Sequence, residues 1–548
     1  MKVAVISNIN IDLLNKKLSN KNHIYQQDGY GTWMNDLLNE KSKLYEFNPE
    51  AIFILLDGEE LFRNQGNIQK IREQIDEIIS YLEINIKWHE KVSYFISNID
   101  IPLNKIKSLK DIRDERYIES YWLDNLYRLN QKYDNFYVFD MKNIIENMGR
   151  NHFYSMKSWY LAGIKTSIRA LESISNEINK ILEALQGKKK KCLILDMDNT
   201  LWGGVVGECG VEGIELSEFK EGARYKDFQK RIKEIKNLGV ILAICSKNNY
   251  EDAIEVLRNH ENAVLKEDDF IIKKVNWKSK SENIKEISNE LNIGLDSFVF
   301  IDDSRFEREG IKELIPDIIV PEFPQDTSDL NKFITDIYYD YFYTLKTTKE
   351  DKEKTELYKA NIERNYELKI ANSFEDYLKK LNTKVKIWKA RKEDVSRISQ
   401  LTQKTNQFNV TTKRYMDKDI NNFITSDKYE VYVASVEDKF GDNGKVIVMI
   451  FNKKDNKTVE IDTFLMSCRV MGRYIEDEIL AFMEEKFVGK GFEKIIASYY
   501  ATRKNRPVEN LFERLGYQVI EEDEKHNKKY SKKLPFKQRK KIMELVMI

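Results

Sequence analysis

Short apolar segments alternate with helix-length amphipathic segments along much of this chain. Alternation of strands and helices is typical of parallel sheets, because parallel strands need long crossover connections that are usually helical. The sequence therefore predicts an α/β protein, and its 548 residues exceed what one hydrophobic core usually holds. In the first part of the chain the predicted strands are 3–6, 51–56, 92–96 and 136–139, and the clearest helices are 68–87 and 119–132.

Changes in this pattern predict the domain boundaries. A helix predicted over 165–185 runs into Gly187 and four lysines, which is a helix-ending glycine followed by a basic hinge. A second α/β pattern follows the hinge, with strands predicted at 192–196, 240–245 and 297–301. The predicted units are 1–186, 190–335, a helical connector over 336–383, a third domain over 384–535 and a tail over 536–548.

The charge balance and the cysteines narrow the class of protein. Lys plus Arg and Asp plus Glu both total 90, so the net charge of zero argues against nucleic acid or a membrane surface as the main partner. No apolar stretch approaches the ~20 residues that span a bilayer. The four cysteines are widely spaced and form no Cys-x-x-Cys pair, which favours reduced thiols over structural zinc. We expect a cytoplasmic protein.

The strand predicted at 192–196 ends in two aspartates that share one face. Asp196 and Asp198 are one residue apart, so in an extended backbone their side chains point the same way. Two such carboxylates repel unless a cation or a shared proton compensates, and Mg²⁺ accepts oxygen ligands while leaving room for phosphate. Gly203 and Gly204 follow and allow close backbone approach to a ligand. The plain structural alternative is a surface turn after a strand.

Three further polar groups make the turn a weaker interpretation. Ser246 ends the next strand with a hydroxyl that suits a phosphoryl oxygen, and 276–280 offers a lysine, Lys278 or Lys280, to neutralise phosphate charge. A second carboxylate pair, Asp302 and Asp303, ends the strand 297–301. Strand carboxyl ends are where open α/β sheets bind ligands.

The order of these motifs resembles that of the haloacid dehalogenase (HAD) phosphatase superfamily: D-x-D-x-T from Asp196, then a strand-end serine, a lysine and D-D. The wider strings L-D-M-D-N-T-L-W-G-G-V-V-G-E, S-K-N-N and N-W-x-x-K-x-x-N are similar to its FkbH-like branch, subfamily IIIC. The resemblance implies a central Rossmann-like domain with a parallel sheet, an Mg²⁺ cofactor and an acyl carrier protein as partner. It implies transfer of a glyceryl group from 1,3-bisphosphoglycerate to the carrier thiol, for polyketide-type extender units.

The resemblance also implies roles for individual residues. Asp196 would be the nucleophile that forms an aspartyl-phosphate, and Asp198 the general acid and base. The spacing N-W-x-x-K-x-x-N favours Lys280 over Lys278. Asp196, Asp198, Asp302 and Asp303 would hold Mg²⁺. The implied phosphate-binding residues are Thr200, Gly203, Gly204, Ser246, Lys247, Asn248 and Lys280.

Acyl transfer needs a thiol, on the carrier or on the enzyme. Cys245 adjoins Ser246, and strand alternation turns the two side chains to opposite faces unless the chain bends there. Cys209 lies on the glycine-rich loop. We favour Cys245 slightly over Cys209 and expect Cys192 to belong to the core, whereas Cys468 stays undecided. Buried, inert cysteine is the alternative for each.

The flanking domains also resemble known families. S-C-R-V-M-G-R and F-E-R-L-G-Y are similar to a GNAT-type acyltransferase of α+β fold, which implies acyl-arm binding at Arg469, Gly472, Arg473 and Asn505; a structural remnant is the alternative. The first domain resembles an SGNH hydrolase. Ser7 lacks a Gly-Asp-Ser context there, and His152 stands in no Asp-x-x-His motif, so we expect a non-catalytic scaffold. Two other functions stay open for the chain: a plain small-molecule phosphatase and a non-catalytic carrier-docking protein.

Overall fold

The structure is a computed structural model that forms two compact units, Met1–Leu182 and Glu183–Ile548. It describes residues 1–29, 31–63, 67–90, 92–102, 108, 110, 113–347, 358–360, 363–364, 367, 373–534 and 543–548. Much of the predicted connector, and the first part of the predicted tail, lie outside these residues. No helix within the described ranges combines the length and apolarity that crossing a bilayer requires.

The first unit is built on a parallel five-stranded sheet. Its strands are β1 (Lys2–Ser7), β2 (His23–Tyr25), β3 (Ala51–Leu55), β4 (Ser93–Ser97) and β5 (Phe136–Phe139), in the order β2-β1-β3-β4-β5. The apolar side chains of β1 and β3 are buried, as continuous apolar runs in a parallel sheet should be. The helices are Asp12–Leu18, Trp33–Leu38, Lys43–Phe47, Gly58–Leu61, Ile68–Trp88, Arg113–Lys132, Met141–Met148, Arg150–Phe153, Met156–Ala162 and Ile168–Leu185.

The second unit begins with a parallel four-stranded sheet that carries the predicted phosphate site. Its strands are β6 (Cys192–Leu195), β7 (Ile241–Ser246), β8 (Ile272–Val275) and β9 (Phe298–Ile301), in the order β8-β7-β6-β9. Because β6 lies between β7 and β9, the residues that follow these three strands meet at one edge. The helices of this part are Val206–Cys209, Lys220–Asn237, Tyr250–Asn259, Lys280–Leu291, Arg305–Leu314 and Leu330–Ile337.

A mixed eight-stranded sheet follows in the same unit. Its strands are β10 (Lys384–Lys389), β11 (Tyr429–Asp438), β12 (Gly441–Lys453), β13 (Thr458–Met466), β14 (Lys494–Tyr499), β15 (Gln518–Glu522), β16 (Lys528–Lys533) and β17 (Glu544–Met547). The order is β15-β16-β14-β13-β12-β11-β10-β17, with parallel pairing only between β13 and β14 and between β10 and β17 among the described strands. The helices are Phe374–Leu381, Val395–Lys404, Asp417–Thr425, Ile475–Gly489 and Leu511–Arg514.

The described end of the predicted tail is a strand of this sheet. Leu545 and Met547 of β17 align with Val385 and Ile387 of β10. Among the described strands, β17 is therefore the edge strand beside β10.

The hinge after the helix Ile168–Leu185 crosses close to the domain that holds the eight-stranded sheet. Gly187 has a φ of +67°, and a Cβ atom on it would lie 2.7 Å from the carbonyl oxygen of Gln403. A side chain at this position would meet both backbone strain and a clash. The glycine that ends the predicted helix is thus also the point where the hinge passes the helix Val395–Lys404.

Candidate active site

Asp196 stands at the carboxyl edge of the four-stranded sheet, directly after β6. Its carboxylate is buried, and its Oδ1 lies 2.9 Å from the Nζ of Lys280. Lys280 begins the helix that follows β8, and its Nζ donates to Oδ2 of Asp302, after β9, at 2.5 Å. Residues from three strand ends therefore surround one point. Lys278, the rival lysine, is exposed and pairs with Glu286 instead.

Three carboxylates at this edge fit a divalent cation. Asp196, Asp302 and Asp303 each offer an oxygen, and these oxygens lie within 4.8 Å of one another. Oδ1 of Asp196 is buried and makes no hydrogen bond, since its approach to Lys280 lacks hydrogen-bond geometry. Burial and the neighbouring Asp196 carboxylate raise the pKa of both Asp302 and Asp303. Lys280 alone does not neutralise three carboxylates, and a cation that prefers oxygen ligands, such as Mg²⁺, would offset the remaining negative charge.

The Asp198 carboxylate is held apart from this acidic group. Oδ1 accepts from the indole N–H of Trp202 at 2.9 Å and from the backbone N–H of Val206 at 3.1 Å, and Oδ2 accepts from the side-chain amide of Asn248 at 2.7 Å. Burial raises the pKa of Asp198. The expectation that this carboxylate ligates the metal is therefore not supported, because its oxygens already have donors. Its fixed orientation and raised pKa suit proton transfer.

The glycine-rich loop is shaped by its own contacts. Asn199 has a φ of +54° and accepts from the backbone N–H of Gly204, whose φ is +92°. A Cβ on Gly203 would lie 2.8 Å from Oε2 of Glu215. Close approach at Gly203 is thus to the protein, which corrects its assignment to phosphate. The hydroxyl of the fully buried Thr200 accepts from the backbone N–H of Asp303 and so positions that residue.

The residues after β7 divide into different roles. Ser246 is buried at the end of β7, where it aligns with Val275 of β8. Lys247 is exposed and pairs with Glu307 at 2.7 Å, so the structure does not bring it to the phosphate site. Asn248 orients Asp198, a positioning role rather than a phosphate contact.

Two groups that sequence reasoning missed hold the site in place. The guanidinium of buried Arg308 donates to the carbonyl oxygens of Asp302 and Asp303, at 2.9 and 2.6 Å. Asn276 and Asn283 bond reciprocally through their side-chain amides, at 3.2 and 3.0 Å, and bracket Lys280. The N-W-x-x-K-x-x-N spacing carried a signal for the asparagine pair, whereas no local pattern indicates Arg308.

The structure reverses the ranking of the two favoured cysteines. Cys245 is 0% exposed, contacts the Lys280 carbonyl oxygen, and has its thiol pKa raised by burial. It lies in an apolar cluster, because β7 continues through Ser246 and alternation keeps the two side chains on opposite faces. Cys209 is exposed, on the short helix that begins at Val206 beside Asp198. Cys192 belongs to the core, and Cys468 is half-buried.

Two of the residues expected to bind an acyl arm are engaged in the protein's own structure. Arg473 is buried and pairs with Asp438 at 2.8 Å. The side chain of Asn505 is fully buried; it accepts from the N–H of Thr502 and donates to the Asn409 carbonyl oxygen. Both are therefore corrected to structural residues. Gly472 has a φ of +75° and open space where a Cβ would be, and Arg469 lines a cavity described below.

The two serine-hydrolase candidates of the first unit are engaged elsewhere or exposed. The hydroxyl of Ser7 is buried and donates to the carbonyl oxygen of Leu55 at 2.5 Å. His152 is exposed on the helix Arg150–Phe153.

The chain is similar over much of its length to a solved structure that contains a phosphatase domain. The N-terminal part of the protein BF1531 from Bacteroides fragilis, containing a phosphatase domain complexed with Mg, is 30% identical, with a TM-score of 0.58. The similarity covers 63% of this chain and 94% of that one.

Two acetyltransferases match smaller shares of the chain. A variant of the spermidine N-acetyltransferase SpeG from Vibrio cholerae is 13% identical over 27% of this chain and 93% of its own, with a TM-score of 0.22. A putative phosphinothricin N-acetyltransferase is 19% identical over 28% and 99%, also at 0.22. No protein-family model and no curated protein matches the chain.

Proposed function

This chain belongs to the same family as BF1531 of Bacteroides fragilis, whose N-terminal part contains a phosphatase domain, and we propose that it is an Mg²⁺-dependent phosphatase of the haloacid dehalogenase type. One observation carries the proposal. Asp196 stands at a sheet edge, paired with Lys280 and grouped with the carboxylates of Asp302 and Asp303. A nucleophilic carboxylate, a fixed cation and a cation-binding acidic group are what phosphoryl transfer to an aspartate requires.

The residues would share the reaction as follows. A carboxylate oxygen of Asp196 attacks the phosphorus, the P–O bond to the leaving group breaks, and Asp198 gives that oxygen its proton. Water then attacks the aspartyl-phosphate while Asp198 takes a proton back, releasing phosphate and restoring Asp196. Lys280 offsets charge on the phosphoryl oxygens. Mg²⁺ held by Asp196, Asp302 and Asp303 would supply further charge stabilisation.

The test is phosphate release from p-nitrophenyl phosphate with Mg²⁺. We expect Asp196→Asn to lower kcat on the order of a thousandfold or more, because the covalent step is lost. Asp227→Asn, which removes a half-exposed carboxylate paired only with Lys230 among the described residues, is the matched control and should leave kcat unchanged. Full activity of Asp196→Asn would exclude the aspartyl-phosphate mechanism.

We further propose glyceryl transfer from 1,3-bisphosphoglycerate to an acyl carrier protein as the physiological reaction. The FkbH-like strings around Asp196 and Lys280 support it. A thiolate attacks the C1 carbonyl carbon; a C–S bond forms, and the C–O bond to phosphate breaks with its electron pair leaving on the phosphate. A free glyceryl group also requires loss of the C3 phosphoryl group, which is the phosphomonoester hydrolysis assigned to Asp196.

The flanking parts have a place in this proposal. If the acyl group rests on the enzyme, Cys209 is the candidate thiol: it is exposed and ends the short helix whose first residue, Val206, donates its backbone N–H to Asp198. The C-terminal domain would be GNAT-like and receive the carrier's acyl arm near Gly472. The first unit would be an SGNH-like scaffold for docking.

Mass spectrometry of a carrier protein incubated with enzyme, Mg²⁺ and 1,3-bisphosphoglycerate tests the transfer. A carrier that gains one glyceryl group supports it, and Cys209→Ser then decides whether the enzyme's thiol takes part. Phosphate release with an unchanged carrier mass would leave the plain phosphatase. If neither free phosphate nor a heavier carrier is found, the non-catalytic docking protein is the remaining alternative.

A further inference from the structure

A second cavity lies inside the second unit, away from Asp196. On one side it is lined by the hinge residues Lys189–Lys191 and by 238–240, which precede β6 and β7. On the other side it is lined by 404–408 and by Ser467–Arg469 of the C-terminal sheet domain. The cavity therefore adjoins the amino ends of strands whose carboxyl ends carry the phosphatase site. Its volume is about 110 Å³.

The side chain of Arg469 is the feature of this cavity that indicates a bound ligand. Its side chain is 6% exposed, and its Nη1 is buried without a hydrogen-bond partner. Its Nε donates to the Ser467 hydroxyl at 3.3 Å, and no described carboxylate pairs with it. A buried guanidinium nitrogen without an acceptor is costly, unless something that binds there supplies the acceptor.

The surroundings of Arg469 are basic. Lys190 also lines the cavity and is half-buried; its Nζ donates to the Asp296 carbonyl oxygen at 2.6 Å. Burial lowers the pKa of Lys190, while the Asp296 and Asp317 carboxylates act to raise it. Thr405, Asn406 and Ser467 add polar side chains. Within the described part of the lining no residue is acidic, and the basic ones are Lys189, Lys190, Lys191, Arg397, Lys404 and Arg469.

We propose that this cavity binds the phosphate group of a small phosphorylated molecule, with Arg469 as its direct hydrogen-bond donor and Lys190 as its second positive charge. A phosphate monoester carries close to two negative charges at neutral pH and matches two cations better than a single carboxylate does. The planar guanidinium donates two parallel hydrogen bonds to phosphate oxygens.

The size of the cavity favours an ester over free phosphate. A bound water occupies roughly 10–15 Å³ on this measure, so about 110 Å³ holds a phosphate group and several further atoms. Phosphate in either form shares the same anchor, and the experiment separates the two.

Calorimetric titration of the full chain tests the site independently of catalysis. The protein carries Asp196→Asn and is kept in EDTA, so the active site neither turns over nor holds Mg²⁺. Glycerol 1-phosphate, inorganic phosphate and acetate are the probes. We expect Arg469→Gln to weaken glycerol phosphate binding at least about tenfold and Lys190→Gln to weaken it less. Arg231→Gln, an exposed arginine paired with Glu234, is the matched control and should change nothing.

The outcomes are distinct. Tighter binding of glycerol phosphate identifies a phosphorylated molecule as the ligand, and equal binding of inorganic phosphate identifies free phosphate. Acetate binding as tightly as phosphate, no binding at millimolar concentration, or an Arg469→Gln variant that binds normally would overturn the proposal.

Thermal unfolding with and without glycerol phosphate guards against a folding artefact. The ligand should raise Tm for the Asp196→Asn protein and not after Arg469→Gln is added. If Arg469→Gln fails to fold, Arg469→Lys keeps the charge but loses the paired donors, and should retain part of the shift. A full shift in Arg469→Lys and in Arg469→Gln would also exclude Arg469 as the anchor.

Discussion

Two buried lysines in the second unit show how a site differs from a structural ion pair. Lys532 on β16 donates to both carboxylate oxygens of Glu484, at 2.9 and 2.7 Å, and to the Leu515 carbonyl oxygen. One acid balances one base, and the hydroxyl of Tyr517 also donates to Glu484. Lys280 instead faces an acidic group of three carboxylates, one with a buried oxygen that makes no hydrogen bond.

The difference lies in charge balance rather than in burial. Both lysines are largely buried, and both pair with carboxylates. The Lys532–Glu484 pair is neutral and its donors have acceptors, so its charge balance needs no further ion or ligand. The Lys280 group keeps excess negative charge, which an added cation or a phosphoryl group changes. We therefore expect substitutions in the unbalanced Lys280 group to lower activity, and substitutions in the balanced Lys532 pair to lower stability.

The largest expected effect is on catalysis, from Lys280→Met. We expect kcat to fall about 100- to 1,000-fold, the usual cost of removing a charge-stabilising donor from an active site. The variant should also gain more Tm from Mg²⁺ than the wild type, because three carboxylates then lack their internal cation. Steady-state kinetics and thermal unfolding measure the two effects. Lys278→Met, at the exposed neighbour, is the control, and an equal loss there would break the comparison.

The opposite pattern is expected for Lys532→Met. Removing one partner of a buried pair leaves Glu484 uncompensated, which destabilises by about 3–5 kcal/mol. Urea unfolding should show this loss, and Glu484→Gln in the same chain should restore part of it. Phosphatase activity per folded molecule should stay at the wild-type level. A specific loss of kcat in folded Lys532→Met would mean that this pair is not merely structural.

Asn248→Ala tests how the orientation of Asp198 contributes. The variant loses the amide that holds Oδ2 of Asp198, and we expect kcat to fall roughly tenfold with little change in KM, as for a lost positioning contact. Lys247→Ala removes only the exposed pair with Glu307 and should cost far less. A larger effect from Lys247 would restore it as a phosphate-binding residue.

The sequence predicted the strands whose apolar runs are long and uninterrupted. The strands expected at 192–196, 240–245 and 297–301 are confirmed within one residue at each end. β8 was missed because Lys273 and Lys274 occupy its middle, leaving only Ile272 and Val275 apolar. β16 reads K-K-Y-S-K-K and offers Tyr530 as its one apolar residue, so only its neighbours in the sheet define it.

Residues of the candidate site divide in the same way. Asp196 and Asp302 could be found from sequence because parallel topology brings strand ends together. Lys280 was separated from Lys278 only by the N-W-x-x-K-x-x-N spacing of the resemblance. The donors to Asp198 and the Arg308 guanidinium could not, since their positions depend on how loops and helices turn after each strand. The expected redirection of Cys245 was wrong because β7 runs one residue further than predicted.

The smallest effect on stability is expected from Gly187→Ala, a change that touches neither the Lys280 group nor the Lys532 pair. Adding a Cβ at a φ of +67°, against the Gln403 carbonyl oxygen, should destabilise the second unit by about 1–2 kcal/mol. Gly310→Ala is the matched control: it lies in the helix Arg305–Leu314 with open space around it and should be neutral or slightly stabilising. Urea unfolding separates the two variants. The hinge lines the Arg469 cavity and not the Asp196 site. Gly187→Ala should therefore weaken binding of glycerol phosphate in EDTA, while kcat per folded molecule stays unchanged. A loss of kcat with normal glycerol phosphate binding would mean that the hinge acts on the carboxyl edge of the four-stranded sheet.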